Sequence, residues 1–369
     1  DSAPERLQTT TPLQSLLLVN SEWPLQRAAA FAKRILGEDL ALVRGEIANA
    51  FRIAYNRPAT EAELDLAGQF IETQRVRIAE DASDSTLAAE VKNSPFLSAP
   101  KHFAGLEKEL GLGNLALHLE EGSRYERLEL PAHTFSNDAF TLEAVVRLDQ
   151  LHEDASVNTI VSQWNGDYQE GGWSIGVTST RSKYEPRNFI VQLVGENGAG
   201  NMEYEVVASG LRVPLNKPVY LTAVVTAFNA SEESGGGDVT FYMKDLSDPQ
   251  AELQTSRVRH SIAARIQSSG TKRILGGRDA ERHLWNGEIA RLALTDAALS
   301  PMQLFFRGSP GGINREDWTF SGTESDEALP EGASWMVPSR LEKAQDPLIG
   351  ATIDFCHALI TSNEFLYLH

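Results

Sequence analysis

The spacing of apolar residues indicates helices in the first part of the chain. The first apolar stripe follows the i, i+3, i+4, i+7 spacing of one helix face and consists of Leu25, Ala28, Ala29, Ala32, Ile35 and Leu36. Two further stripes lie at residues 40–54 and 64–71, and Thr60 with Glu63 forms a capping-box pattern ahead of the second. These patterns predict that residues 1–105 form the N-terminal part of a helical domain.

The spacing changes to that of β-strands after Gly111. Apolar side chains occupy alternate positions along residues 140–148 and 239–243, as expected for half-buried strands. Turn signals separate the β-rich runs at Asn165-Gly166, Asn197-Gly198, Gly235-Gly236-Gly237 and Asn286-Gly287. About ten or more short strands without an intervening helix favour an antiparallel β-sandwich over a parallel sheet. We assign this sandwich to residues 106–308.

A last amphipathic helix is predicted at the other end of the chain. Residues 309–337 are rich in Gly, Pro and acidic residues, and we interpret them as a linker. The helix lies within residues 338–369, and its apolar stripe consists of Leu348, Thr352, Phe355, Cys356, Leu359 and Ile360. One amphipathic helix cannot bury its own apolar face, so we expect it to dock on the N-terminal helices. The predicted fold class is therefore multidomain α and β, with an antiparallel sandwich inserted in a small helical domain formed by both chain ends.

Composition excludes several classes of protein. The chain has 33 basic and 51 acidic residues and a net charge of −18, which argues against nucleic acid as a partner. Its single cysteine, Cys356, excludes an intrachain disulfide and lies on an apolar stripe, where a buried thiol is expected. No apolar run approaches the roughly 18 residues of a transmembrane segment. The chain begins at Asp1 without a leader-like segment, so we expect it to be part of a longer, processed protein.

The β-rich region resembles a laminin-G-like, concanavalin-A-like jelly roll. The residues that carry this resemblance are Phe140-Thr141-Leu142-Glu143-Ala144, Ile160-Val161-Ser162, Gly172-Trp173-Ser174-Ile175-Gly176-Val177, Leu275-Gly276-Gly277-Arg278, Trp285-Asn286-Gly287-Glu288-Ile289 and Ala298-Leu299-Ser300. The family often has acidic residues just after the closing Gly-x-Ile, where this chain has Ala290 and Arg291. The resemblance implies a sandwich that often holds one calcium ion.

The two chain ends are similar to a C-terminal domain of unknown function in large planctomycete proteins, which often also carry a cytochrome-c-like domain. The matching residues lie at 9–16 with Asn20, at 54–64 and at 362–367. This resemblance implies a bacterial, exported, multidomain protein, located in the periplasm or at the cell surface, whose other domains are its partners. It implies no settled activity, and the chain lacks a haem-attachment motif.

No catalytic residues are assigned. Gly172-Trp173-Ser174-Ile175-Gly176 fits the Gly-x-Ser-x-Gly pattern of hydrolases, but it lies in a predicted strand with no helix after it, which favours an ordinary sandwich strand. Related jelly-roll glucanases place their acids as Glu-x-Asp-x-Glu on one strand, and no such string occurs. Glu203 and Glu205 alternate, which is typical of a solvated strand face.

Aromatic residues on loops supply the candidate ligand-binding site, because their rings match the C–H face of a pyranose. Trp164 and Trp173 interrupt good strands and are expected in the core, whereas Tyr168 and Trp285 lie next to Asn-Gly pairs and are expected to be exposed. Polar residues that precede Trp285 could add hydrogen bonds. The predicted ligand-binding residues are Tyr168, Trp285, Arg278, Asp279 and His283.

Oxygen-bearing side chains on two loops are candidate calcium ligands. Asn165 and Asp167 lie on one loop and Asp279 on another, without the fixed spacing of an EF-hand. Surface polar loops are the alternative interpretation, and the prediction requires no cofactor.

The sequence as a whole favours a non-catalytic module that binds glycan or protein within a larger exported protein. Two alternatives stay open: a glycan-active hydrolase whose acids are not recognised, and a purely architectural cell-surface domain.

Overall fold

A computed structural model describes residues 22–36, 44–83, 97–120, 126–135, 139–153, 155–226, 236–266, 271–278, 283–304, 315–322, 329, 331–336 and 346–362. The chain divides into two compact units. The first combines Asp1–Val91 with Val337–His369, and the second is Lys92–Met336. The described helices are α1 (Glu22–Leu36), α2 (Arg44–Tyr55), α3 (Glu61–Ser83), α4 (Glu107–Leu110) and α5 (Pro347–Ile360). None of them is long and apolar enough to cross a membrane.

Helices α1, α2, α3 and α5 bury their apolar faces in one shared core. The predicted stripe of α1 contributes Ala28, Ala32 and Ile35, and α5 contributes Phe355 and Cys356. The Tyr55 hydroxyl, at the end of α2, lies 2.9 Å from Ser362 Oγ and 3.3 Å from the carbonyl oxygen of Leu359. Docking of the last helix on the N-terminal helices is therefore confirmed. Burial raises the pKa of the Cys356 thiol, so it is the buried, unreactive group that the sequence predicts.

The capping box ahead of α3 is formed as predicted. The backbone N–H of Thr60 donates to Glu63 Oε2 (2.7 Å), and the N–H of Glu63 donates to Thr60 Oγ1 (3.3 Å). Arg57 adds a two-pronged contact to the same carboxylate at 2.6 and 3.0 Å. The hydrogen bonds from Arg57 and Thr60 lower the pKa of Glu63 from 4.5 to about 2. Glu63 is therefore ionised in the folded helix at all but very acidic pH.

Replacing Glu63 by Gln should weaken the helical unit in a pH-dependent way. The folded-state pKa is depressed, so the ionised carboxylate stabilises the fold above about pH 4.5 and its contribution is lost as the pH falls toward 2. We expect Glu63→Gln to cost about 1 kcal/mol at pH 7, in the range of a lost helix cap. Chemical denaturation followed by the helical circular dichroism signal at pH 7 and pH 3 measures both values. Glu72→Gln, which breaks an exposed ion pair with Arg75 on the same helix, is the control. Equal losses in the two variants, or a gap that does not shrink at pH 3, would contradict the assignment.

The second unit consists of two antiparallel sheets. The strands are β1 (Leu97–Ser98), β2 (Ala116–Leu119), β3 (Arg127–Leu130), β4 (Phe140–Leu148), β5 (Val157–Gln163), β6 (Gly172–Thr178), β7 (Asn188–Asn197), β8 (Met202–Arg212), β9 (Pro218–Thr226), β10 (Gly237–Asp245), β11 (Gln254–His260), β12 (Ile262–Ala264), β13 (Arg273–Leu275), β14 (Gly287–Thr295), β15 (Arg315–Thr319) and β16 (Ser334–Met336). Sheet I has the order β1-β2-β14-β4-β9-β10-β11, and β15 also pairs with β14. Sheet II has the order β12-β7-β6-β5-β13-β3-β16, and β8 also pairs with β7. The predicted antiparallel sandwich is confirmed.

The central strands of sheet I, β4, β9 and β14, are buried on both faces. Its inner face packs against sheet II around large side chains such as Phe140 and Phe241. Its outer face presents Val145 and Tyr220 to a second apolar cluster, which Phe103 and Leu110 help to close from the segment around α4. The outer face of sheet II carries the buried polar side chains of Ser174 and Gln192.

The segment interpreted as a linker, residues 309–337, adds a strand to each sheet. β15 pairs with β14 from Arg291↔Thr319 to Thr295↔Arg315, and β16 pairs with β3. At the other boundary, β1 lies within the stretch assigned to the helical domain and pairs with β2. The interpretation of residues 309–337 as a linker is therefore corrected, because Arg315–Thr319 and Ser334–Met336 are strands of the sandwich. Sequence periodicity does not reveal β15, because its residues are mostly charged and form ion pairs at the sheet edge instead of an apolar stripe.

One of these ion pairs joins the two sheets. Glu316 on β15 contacts Arg273 Nη1 on β13 and His133 Nδ1, each at 2.6 Å. Arg273 is 2% exposed, donates to the carbonyl oxygen of Pro131 (2.7 Å) and lies over the ring of Trp318. Burial alone would raise the pKa of Glu316, but the hydrogen bonds from His133 and Arg273 lower it below its ordinary value. Glu316 therefore neutralises a cation that is buried between the sheets.

Removing the charge of Glu316 should destabilise the sandwich more than removing both charges. Glu316→Gln leaves the buried guanidinium of Arg273 without a carboxylate, which we expect to cost about 2 kcal/mol. In the double variant Arg273→Met with Glu316→Gln, no charge is stranded, and we expect a smaller loss. Urea denaturation of the parent, of the single variants Glu316→Gln and Arg273→Met, and of the double variant gives the coupling energy. Purely additive losses would show that the pair contributes nothing as a pair.

Candidate functional site

Trp285 lies between the two sheets rather than at the surface. Its side chain is 0% exposed and belongs to the main core, as Trp173 does in agreement with its prediction. The expectation that Trp285 is exposed was drawn from Asn286-Gly287 and is wrong, because that pair opens strand β14 instead of forming a turn. A Cβ on Gly287 would lie 2.0 Å from the carbonyl oxygen of Arg147, so this glycine permits close strand approach. Trp285 cannot stack on a ligand in this structure.

The other predicted ligand-binding residues are placed differently. Tyr168 is 52% exposed, as expected, and Arg278 is 9% exposed. His283 is half-buried with a positive φ of 65°, and its carbonyl oxygen accepts from the N–H of Thr159. Asp279 lies outside the described residues. The structure therefore retains Tyr168 and Arg278 as site candidates, and other side chains join them.

Three aromatic rings gather on the outer face of sheet II. The Trp164 ring stacks on Tyr204 with centroids 5.6 Å apart, and Tyr168 meets both edge-on at 5.4 and 5.3 Å. Trp164 is buried, as predicted, but it lies against the outside of sheet II and not between the sheets. Tyr204 is half-buried, so the exposed Tyr168 is the outermost ring. These rings, together with the polar groups beneath them, form the aromatic–arginine cluster: Trp164, Tyr168, Ser174, Gln192, Tyr204 and Arg278.

Strand alternation explains how these side chains meet. Trp173 and Ile175 on β6 point into the core, so Gly172 and Ser174 face outward. Gln192 on β7 lies opposite Ser174 in register, and the neighbouring residues of β8 carry Tyr204 to the same face. Gly172 makes room for Trp164, since a Cβ there would lie 2.6 Å from the indole Cδ1. The Gly-x-Ser-x-Gly string is thus part of a strand, and its first glycine, Gly172, leaves room for the Trp164 ring. The Oγ of the buried Ser174 donates to Gln192 Oε1 (2.8 Å).

A chain of hydrogen bonds lies under the rings. Gln192 Oε1 also accepts from Nη2 of Arg278, while Gln192 Nε2 donates to the hydroxyl oxygen of Tyr204. Burial raises the pKa of Tyr204, so its hydroxyl stays protonated and able to donate. The guanidinium of Arg278 lies 5.3 Å from the centroid of the Trp164 ring, which is within cation–π range. These hydrogen bonds hold the polar side chains of the cluster in one arrangement.

Arg278 carries a charge that the described part of the chain does not neutralise. Its hydrogen-bond acceptor there is the neutral amide of Gln192, and its Nε has no partner. Burial lowers its pKa to about 10, which still leaves the guanidinium charged at neutral pH. Burying a charge without a counter-ion is costly. An uncompensated cation under aromatic rings is therefore a feature that stability does not explain.

Sequence patterns gave only part of this cluster. Tyr168 and Arg278 were predicted, whereas Gln192, Ser174 and Tyr204 were missed. A usable signal existed, because a polar residue between Val191 and Leu193 marks an outward position on an otherwise apolar strand. Tyr184, an aromatic residue outside the cluster, is half-buried and donates to the carbonyl oxygen of Val206 (3.3 Å).

The first candidate calcium loop uses its oxygens to shape the loop itself. Asn165 Oδ1 accepts from the N–H of Asp167 (2.9 Å), and Asp167 Oδ1 accepts from the N–H of Gln169 (2.7 Å). Asn165 Nδ2 donates to Glu170 Oε2 (2.8 Å). Within the described ranges, no three or more His, Cys, Asp or Glu side chains converge as a metal site. The visible effect of Asn165 and Asp167 is to hold the loop that presents Tyr168.

A pair of carboxylates lies on the outer face of sheet I. Glu288 lies opposite Arg147 in register, and Asp149 follows two residues after that arginine. Burial raises the pKa of Asp149; Arg147 opposes this effect, and the charge of Glu288 adds to it. His102 Nδ1 lies 2.9 Å from Glu288, and Arg147 lies 2.9 Å from Asp149. Both carboxylates are engaged by basic side chains, which makes this a polar network joining strands β4 and β14 to the covering segment.

Comparison with known proteins agrees with the resemblance at the N-terminal end. Residues 1–71 match the family model described as "PSD1: Protein of unknown function (DUF1553)". The predicted similarity of this end to a domain of unknown function is confirmed. No protein with curated annotation matches the chain by sequence.

Several solved structures are similar to this chain at low identity. A structure described as "Ruminococcus gnavus IT-sialidase CBM40 bound to alpha2,3 sialyllactose" is 12% identical, with a TM-score of 0.35 over 50% of this chain and 91% of that one. The LG1-3 region of the laminin alpha2 chain is 11% identical, with a TM-score of 0.33 over 57% of this chain and 33% of that one. A pentraxin from Limulus polyphemus is 11% identical, with a TM-score of 0.29 over 58% and 95%. The fold class rests on the strand pairing described above.

Replacing Arg278 should cost little stability. We expect Arg278→Met to change the free energy of unfolding by less than about 1 kcal/mol in either direction, because an apolar side chain of similar length removes an uncompensated buried charge. Arg273→Met, which removes a buried arginine that has a carboxylate partner, is the control and should destabilise. Urea denaturation compares them. A loss of several kcal/mol in Arg278→Met would make this arginine a structural residue.

Proposed function

We propose that the sandwich is a non-catalytic module that binds glycan, within a larger exported bacterial protein. The observation that carries this proposal is the exposed Tyr168 ring packed edge-on against Trp164 and Tyr204, above a fixed chain of hydrogen-bonding groups. Flat aromatic surface next to oriented polar groups is what a sugar ring requires, since its C–H face is apolar and its hydroxyls need partners.

The location of the cluster supports binding at the outer face of sheet II. The other outer face is covered by the apolar cluster around Phe103, Leu110 and Tyr220. On sheet II, the proposal has the half-buried Tyr204 and the charged Arg278 orient a sugar that stacks on the exposed Tyr168. A flat, polar face would have favoured the architectural alternative, and this cluster does not fit it.

The proposal assigns no catalytic residues. The raised pKa of Asp149 near Glu288 is a feature that an acid catalyst needs, but Arg147 and His102 already occupy both carboxylates. We also propose that binding needs no metal ion, because Asn165 and Asp167 direct their oxygens to backbone N–H groups of their own loop. Export, to the periplasm or the cell surface, is proposed from the resemblance of the chain ends alone.

Glycan-array binding of the full chain tests the proposal. Tyr168→Ala removes exposed ring surface and little buried contact, so we expect at least a tenfold loss of binding, in line with about 1–2 kcal/mol for a stacked ring. Met302→Ala, at a residue 69% exposed, is the control and should bind as the parent does.

The array is run with calcium and again with a chelator. Binding that survives the chelator and is lost in Tyr168→Ala supports the aromatic site. Binding that disappears with the chelator would restore a calcium ion at the Asn165 loop or elsewhere. No binding under either condition would refute glycan binding and favour the architectural alternative.

A further inference from the structure

We infer that the glycan is acidic: the aromatic–arginine cluster selects a sugar that carries a carboxylate on its ring, such as a uronic acid, and Arg278 is the group that receives the carboxylate. This inference rests on the proposed glycan binding and adds the class of ligand.

The first argument is the contrast between Arg278 and three other arginines that are buried or nearly buried in the same unit. Each of those three contacts a carboxylate: Arg273 contacts Glu316, Arg291 contacts Asp317 and Arg315 contacts Glu143. In the part of the chain that the structure describes, Arg278 contacts no carboxylate and donates to the neutral Gln192. The charge of Arg278, unlike the charges of these three arginines, is therefore left for an anion.

The second argument is that neutral groups hold the guanidinium of Arg278 in place and leave its charge unneutralised. Ser174 and Tyr204 both bond to Gln192 and fix the amide that accepts from Arg278. Arg127 Nη1 donates to the carbonyl oxygen of Arg278 (2.6 Å), which anchors the main chain and places a second guanidinium near the same loop. A positive, preorganised group of this kind binds an anion with little loss of side-chain freedom.

The third argument is distance. The guanidinium of Arg278 lies 5.3 Å from the centroid of the buried Trp164 ring, and the exposed Tyr168 ring packs edge-on against Trp164 with centroids 5.4 Å apart, so the charge lies near the exposed stacking surface. In the proposed complex, a carboxylate attached directly to a pyranose reaches the guanidinium while the sugar ring stays on Tyr168. A sulfate or phosphate ester extends farther on a flexible bond. The planar fork of arginine also matches a planar carboxylate.

The overall charge of the chain makes a local cation necessary. With a net charge of −18, the protein as a whole repels acidic ligands. Selection of an acidic sugar therefore depends on short-range contact with a desolvated guanidinium, which salt screens less than it screens surface charges.

Binding to matched sugars tests the inference. The probes are oligosaccharides of uronic acids, each presented as the free acid and as its methyl ester, with a sulfated neutral sugar as a further arm. We expect the parent protein to bind free acids at least tenfold more tightly than their esters. Arg278→Met should lose this preference, and Arg278→Lys should retain part of it because the charge remains while the fork is lost. The ester comparison uses unmodified protein, so it does not depend on whether the variants fold.

The outcomes separate this inference from the function on which it rests. Equal binding of acids and esters by the parent, unchanged in Arg278→Met, overturns acid selection and leaves glycan binding standing. A preference for the sulfated sugar overturns the carboxylate class. Absence of binding to every sugar, neutral sugars included, overturns both proposals.

Discussion

Burial of sheet I on both of its faces is the constraint on which the rest of the sandwich depends. The inner face packs on sheet II, and the outer face is closed by the segment around α4 together with residues such as Leu299 and Leu304. The central strands of sheet I therefore offer little open surface to a ligand. The outer face of sheet II is therefore where polar and aromatic side chains can collect, and Trp164, Tyr204 and Arg278 do so.

Buried charges show the same division between structure and site. Glu316, Asp317 and Glu143 reach buried or nearly buried arginines and join strands that are far apart in sequence. These pairs are expensive to desolvate, and the fold tolerates them because each charge meets its opposite. At Arg278 that rule is broken among the described residues. A position where a buried arginine lacks a carboxylate, in a protein that supplies one to other buried arginines, is a position where function is expected to have shaped the sequence.

The sequence predicts the elements whose apolar periodicity is strong. The helical stripes, the Thr60–Glu63 capping box and the alternation of β4 were predicted because each depends on residues close together in the chain. β15 could not be predicted in this way, since its charged residues become a strand only by pairing with Arg291 and Arg273, which are distant in sequence. Trp285 was misplaced for a related reason: an Asn-Gly pair also fits a strand that passes very close to another backbone, here that of β4.

The candidate site was predicted only in part because it is a property of three adjacent strands. Ser174 and Gln192 become partners through the register of β6 and β7, and Tyr204 joins them through β8. Periodicity can show that such residues face outward, but not which strand lies beside which. Knowledge of the strand order turns scattered outward residues into one cluster around Arg278, a cation that contacts no carboxylate among the described residues. That cation distinguishes the outer face of sheet II from an ordinary solvated sheet, on which arginine would extend into water and would not lie under tryptophan and tyrosine rings.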